Sequence, residues 1–141
     1  QWFDLPSLRQ GDGAMPDELM KLSFLRADFA EQLSKHAKDL PIDSTEAYLL
    51  GMFSTLGKLT QIPLEDALRE LPISEHIKSA LISKEGRCGL LYDVILCYEK
   101  ASWNAMAESA EKLEIPTDKI AQIYFECVEK VNDIWTGIMT T

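Results

Sequence analysis

Signals that start and stop helices recur at short intervals along this chain, while strand signals are nearly absent: no stretch sustains a period-two alternation, and no Asn-Gly hairpin occurs. A chain patterned this way buries its apolar surface by packing helices against helices. It has 141 residues, 46% of them hydrophobic. At that length it can hide roughly 68–70% of the surface its unfolded form exposes, without disulfides or a structural metal. The expectation is an all-α bundle of about seven to eight helices.

A segment from Trp2 to Leu8 leads into a loop from Gln10 to Met15 that carries Gly11 and Gly13. Pro16 with Asp17 and Glu18 then opens a helix expected to reach about Lys38, with Leu19, Leu22, Leu25 or Phe29, and Leu33 on one apolar face. Beyond Pro41, Asp43 and Glu46 have capping-box spacing for a central helix running to about Thr60. Its run from Ala47 to Phe53 is apolar on every side, as befits a helix surrounded by others. Gly51 and Gly57 cost that helix about 1 kcal/mol each relative to Ala, which close helix contacts would explain. Pro63 starts a short helix to Leu71, and Ser74 caps another to about Ser83 with Ile77, Ala80 and Leu81 inward. Gly86 and Gly89 read as a turn before a helix from Leu90 to Lys100, and Ser102 caps one from Trp103 to Leu113. Pro116 and Thr117 begin the last long helix, where Ile120, Ile123, Tyr124, Cys127, Val131, Ile134 and Trp135 form one buried stripe. No low-complexity linker or internal repeat divides the chain, so residues 1–141 read as one helical domain.

The 14 Lys and Arg against 23 Asp and Glu leave a net charge of -9, and no local basic patch offsets it, which argues against a nucleic-acid partner. No apolar run approaches the ~20 residues a membrane span needs, and the first residues lack a signal-peptide layout. The cytoplasm is therefore the expected location, with no membrane partner. Cys88, Cys97 and Cys127 have no Cys-x-x-Cys spacing and read as free, mostly buried thiols. His36 and His76 fall in separate helices without a metal-ligand motif: His36 near a helix end, where its charge would offset the dipole, and His76 solvated in a first turn. Nucleophile elbows and Gly-rich phosphate loops are absent. Glu65, Asp66, Glu70, Glu108, Glu111 and Glu114 read as solvated helix faces rather than a catalytic carboxylate pair.

The stretch from Glu46 to Leu59, with Gly51, Gly57 and Lys58, resembles the central helix of HD-superfamily domains, whose signature is Gly-Leu-Leu-His-Asp-Ile-Gly-Lys-Leu. In this alignment the metal-binding His and Asp fall on Ser54 and Thr55. Upstream, Phe24, Leu25, Arg26 and Ala27 are similar to the family's Trp-x-His-Ser segment, which puts Arg26 where another metal-binding His stands. A further family Asp falls near Asp93 or Tyr98. Within the superfamily the chain resembles the HDOD domain, the HD-related output domain, in the variant that follows an EAL domain in bacterial cyclic-di-GMP signalling proteins. The matching residues run from Leu25, Arg26, Ala27, Phe29 and Glu31 through Pro63, Leu71 and Pro72 to Tyr98, Glu99, Trp103, Leu113, Tyr124 and Trp135.

The resemblance implies an HD-like helical bundle, cut as the later portion of an HDOD domain, with the earlier part and any EAL domain absent. It further implies no catalytic residues, no metal and no cofactor, because a cation and two hydroxyls replace imidazole and carboxylate ligands. Arg26, Ser54, Thr55 and Lys58 would line a vestigial pocket. The function expected is a non-catalytic regulatory, protein-interaction domain, with the EAL domain of the parent chain as partner and a second copy of the chain as another candidate. Trp2, Phe3 and Trp103 are candidate contact aromatics, while Trp135 belongs to the inward stripe. Two alternatives are an anion or nucleotide sensor using Arg26, Ser54 and Lys58, and a divergent phosphohydrolase with Asp28, Glu46 or Asp93 as metal ligands.

Overall fold

A computed structural model describes residues 16–140, which form an all-α bundle with no strand among the described residues. The helices are α1 (Pro16–Ser34), α2 (Ser44–Phe53), α3 (Leu56–Thr60), α4 (Leu64–Arg69), α5 (Glu75–Ser83), α6 (Gly86–Glu99), α7 (Trp103–Lys112) and α8 (Thr117–Thr140). Trp2, Phe3 and the Gly11–Gly13 loop lie outside the described residues. No described helix is long and apolar enough to cross a membrane.

Two of the three expected caps form, whereas Ser102 precedes α7 without a capping bond from its side chain. Asp43 accepts from the Glu46 amide at 2.8 Å while the Glu46 carboxylate accepts from the Asp43 amide at 3.1 Å, closing the capping box. Ser74 accepts from the His76 amide at 3.0 Å. The core brings Phe29 and Leu33 of α1, Leu50 of α2, Leu68 of α4, Ile77 of α5, Leu91 and Ile95 of α6, and Ile120 of α8 into one cluster, closed by Leu113 after α7.

Several expected boundaries and faces are corrected. The first helix stops at Ser34, so His36 stands beyond it, half-buried, with its amide donating to the Leu33 carbonyl. The helix expected to run from Asp43 to Thr60 is broken at Ser54 and Thr55, whose hydroxyls turn back onto the Gly51 and Met52 carbonyls and offer the backbone an alternative to the helical ladder. Nor is α2 the surrounded helix: Tyr48, Leu49, Met52 and Phe53 are only partly buried. That place belongs to α6, where Cys88, Gly89, Leu91, Tyr92, Val94 and Ile95 are all buried. Gly86 and Gly89 do not bracket a turn; α6 starts at Gly86, and Gly89 lies against the Lys84 backbone, which a Cβ would overlap. On α8, Ile120, Ile123, Cys127 and Val131 are buried as expected, but Ile134 is 52% exposed.

Gly51 fixes the approach of α2 to α1. A Cβ there would overlap the Arg26 carbonyl and the Ala27 amide, both backbone groups that cannot rotate away. The two helices thus meet at van der Waals distance beside Arg26. A Cβ on Gly57 would lie 3.3 Å from the Ile62 carbonyl, a tight fit rather than an overlap.

Candidate functional site

The close α1–α2 approach sets Arg26 against the helix break. Its Nη1 donates to the Ser54 hydroxyl at 3.1 Å, while Nε and Nη2 form a two-pronged bond to the Glu99 carboxylate at the end of α6, at 2.9 and 2.8 Å. The Arg26 and Glu99 side chains are 14% and 21% exposed, so the pair is largely withdrawn from water. Burial works against the guanidinium charge, but the hydrogen bonds and charge of Glu99 outweigh it and hold the Arg26 pKa above its ordinary value. Arg26 is therefore a fixed cation tying α1, α2 and α6 together.

Thr55 is 2% exposed and its hydroxyl bonds to that of Ser23, which also donates to the Leu19 carbonyl at 2.9 Å. Arg26, Ser54 and Thr55 are thus brought to one junction, but Lys58 is exposed on α3 and, among the described residues, makes no hydrogen bond or ion pair with them. The junction does not fit a divalent metal. A guanidinium occupies its centre, the nearby carboxylate is committed to it, and the hydroxyls bond within the protein.

The three carboxylates considered as divergent ligands lie apart, each with its own work. Glu46 closes the capping box. Asp93 accepts from the Ser109 hydroxyl at 2.7 Å and from Lys84 at 3.3 Å. Asp28 is 5% exposed and pairs with Lys130 of α8 at 3.1 Å. Among the described residues no three His, Cys, Asp or Glu side chains come together as a metal site would require. Clefts of about 430 and 160 Å³ run along the α1–α8 seam, and neither is lined by Arg26, Ser54, Thr55 or Lys58. Sequence reasoning missed two partners here, Glu99 for Arg26 and Lys130 for Asp28. Both pairings span long sequence separations, so no local spacing announces them, although Glu99 directly follows Tyr98, one of the positions considered for the further family Asp.

Fold and junction together define a helical bundle whose centre is an internal arginine–glutamate tie rather than a ligand-accepting metal centre. Over 119 residues, 84% of its length, the chain is 32% identical to the cyclic di-GMP phosphodiesterase CdgJ of Vibrio cholerae. It is 24% identical over 112 residues, 79% of its length, to the uncharacterized protein YuxH of Bacillus subtilis. The chain spans about a quarter of each relative, 27% and 26%. No family model matches the chain, and no solved structure matches it. Most of the chain is thus homologous to one region of a cyclic di-GMP phosphodiesterase.

Proposed function

We propose that the chain is the later portion of an HDOD domain and serves as a non-catalytic regulatory module of bacterial cyclic-di-GMP signalling in the cytoplasm, acting through contact with an EAL domain in its parent chain. The observation that carries this reading is the Arg26–Glu99–Ser54 tie. In the HD-superfamily alignment it stands where metal ligands would, and it holds α1, α2 and α6 in one relative position. A module built this way passes on a change in helix packing rather than a chemical product. Similarity to one region of a much longer protein named as a cyclic di-GMP phosphodiesterase supports a place in that signalling. The anion-sensor alternative loses support because Arg26 is already paired and Lys58 stands away from it.

The test is cyclic di-GMP hydrolysis by the full-length parent and by this chain alone. The isolated chain is expected to show no turnover, and Glu99→Gln or Arg26→Met in the parent is expected to shift the parent's turnover severalfold while the chain stays folded. Hydrolysis by the isolated chain, or parent turnover indifferent to both substitutions, contradicts the proposal.

A further inference from the structure

Where α1 and α2 meet the C-terminal half of α8, a cavity of about 160 Å³ opens that plays no part in the Arg26 junction. Its walls include Phe24, Tyr48 and Trp135, with Val131 and Ile134 completing the apolar surface. The Phe24 and Trp135 ring centroids are 6.3 Å apart with the planes tilted by 55°, so the two rings meet at an angle as adjoining walls. Asp28 also lines the cavity, with a side chain only 7% exposed. Three aromatic rings around a withdrawn carboxylate make an unusual surface for an otherwise apolar pocket, because ring faces and carboxylate both attract positive charge.

The cation now paired with Asp28 is Lys130, whose side chain is 56% exposed and reaches in from α8. Burial, then the negative charges of Asp28 and Glu31, push the Tyr48 hydroxyl up, against the single opposing charge of Lys130. Asp28 and Lys130 are the charged groups that line the cavity, and the Lys130 side chain is 56% exposed, so a competing cation reaches the withdrawn carboxylate by displacing it outward. At ~30 Å³ per water the volume suits roughly five non-hydrogen atoms, the size of a tetraalkylammonium head.

We propose that this cavity binds a small alkylammonium cation, with Phe24, Tyr48 and Trp135 facing its alkyl groups, Asp28 countering its charge, and Lys130 as the internal group it displaces. This site is independent of the proposed regulatory role and does not require it. An ion pair that merely fastens α1 to α8 would need neither the cavity nor the three rings.

The test is titration of the full chain with choline and with 3,3-dimethylbutan-1-ol, in which carbon replaces the ammonium nitrogen, followed by calorimetry and by the tryptophan indole NMR signals. Choline is expected to saturate with a millimolar dissociation constant, and the neutral isostere to bind at least about tenfold more weakly. Asp28→Asn and Trp135→Leu are expected to weaken choline binding about tenfold. Lys130→Met is expected to strengthen it at least about threefold by removing the internal competitor, an outcome that loss of folding cannot mimic. Nα-acetyl-lysine methylamide, titrated in parallel, distinguishes the sources of the cation. Tighter binding of choline marks a free small molecule, and tighter binding of the amide marks the lysine side chain of a partner. Equal binding of choline and its isostere, no saturation by about 100 mM choline, or an unchanged affinity in Lys130→Met overturns the proposal.

Discussion

Replacing Gly51 by Ala tests the contact on which the Arg26 junction depends, because two physical effects predict opposite signs. On propensity alone the change stabilises α2 by about 1 kcal/mol, since Gly is the poorer helix former. Against this, the new Cβ overlaps the Arg26 carbonyl and the Ala27 amide. Those are backbone atoms inside α1, so the strain is relieved only by moving the helices apart, and overpacking of this kind costs about 1–3 kcal/mol. Separation also pulls Ser54, one turn along, from its 3.1 Å bond to Arg26, a further loss of roughly 0.5–1.5 kcal/mol. The net expectation is destabilisation by about 1–3 kcal/mol, which lowers Tm by roughly 3–10 °C in a chain of this size. Urea unfolding followed by circular dichroism at 222 nm measures it, with the midpoint falling and the slope unchanged. A Gly51→Ala chain as stable as the parent, or more stable, would refute the claim that α1 and α2 touch backbone to backbone.

Other substitutions probe the junction and the thiols. Glu99→Gln leaves the largely enclosed guanidinium without its counter-charge and should cost about 1–3 kcal/mol in denaturant unfolding, with Arg26→Met/Glu99→Gln together costing less than the sum of the single changes. Thr55→Val removes the buried bond to Ser23 and should cost roughly 1 kcal/mol. For Asp93, burial works to raise the carboxyl, but hydrogen bonds from Ser109, Lys84 and Cys97 and the Lys84 charge outweigh it and hold the pKa below its ordinary 3.8. A carboxyl depressed in the folded state contributes stability above its unfolded pKa and loses it as pH falls through the folded one. Stability should therefore drop below about pH 4, and Asp93→Asn should flatten that part of the pH profile of Tm. Burial, aided by the charge of Glu46, pushes the Cys88 thiol up to about 11, and burial with the Asp28 hydrogen bond pushes Cys127 up further. Native-state labelling with a maleimide should accordingly reach the half-buried Cys97 first, with Cys88 and Cys127 reacting only on unfolding.

Much of the fold was legible because its signals are local. Asp43 with Glu46, Pro63, Ser74, Ser102 and Pro116 marked helix starts that the structure bears out, and Ile77, Ala80 and Leu81 face inward as their spacing indicates. Helix stops were harder to read. The turns at Asp39, Gln61, Lys84, Ala101 and Glu114 adopt left-handed φ of 53–62° without glycine, so the residue that usually announces such an ending is missing. The break at Ser54 was hidden for a different reason: two hydroxyls bonding back to their own helix look in sequence like ordinary helical residues. Ile134 kept the helical spacing of a buried position and yet stands at an exposed cavity rim, because α8 runs on along the seam beside α1. At the candidate site the resemblance pointed to Arg26, Ser54, Thr55 and Lys58, of which Lys58 stands apart from the junction, whereas Glu99 and Lys130 became visible only when the bundle joined residues far apart in the chain.

Arg26, bonded to Glu99 and Ser54, forms the junction that the proposed HD-superfamily alignment sets at former metal-ligand positions. The most direct test is elemental analysis of tag-free protein purified without chelator and then dialysed against iron, manganese, zinc and nickel. None of the four is expected to be retained near stoichiometry, and Glu99→Gln is expected not to change this. One metal ion per chain, lost on substitution of Asp28, Glu46 or Asp93, would contradict this expectation.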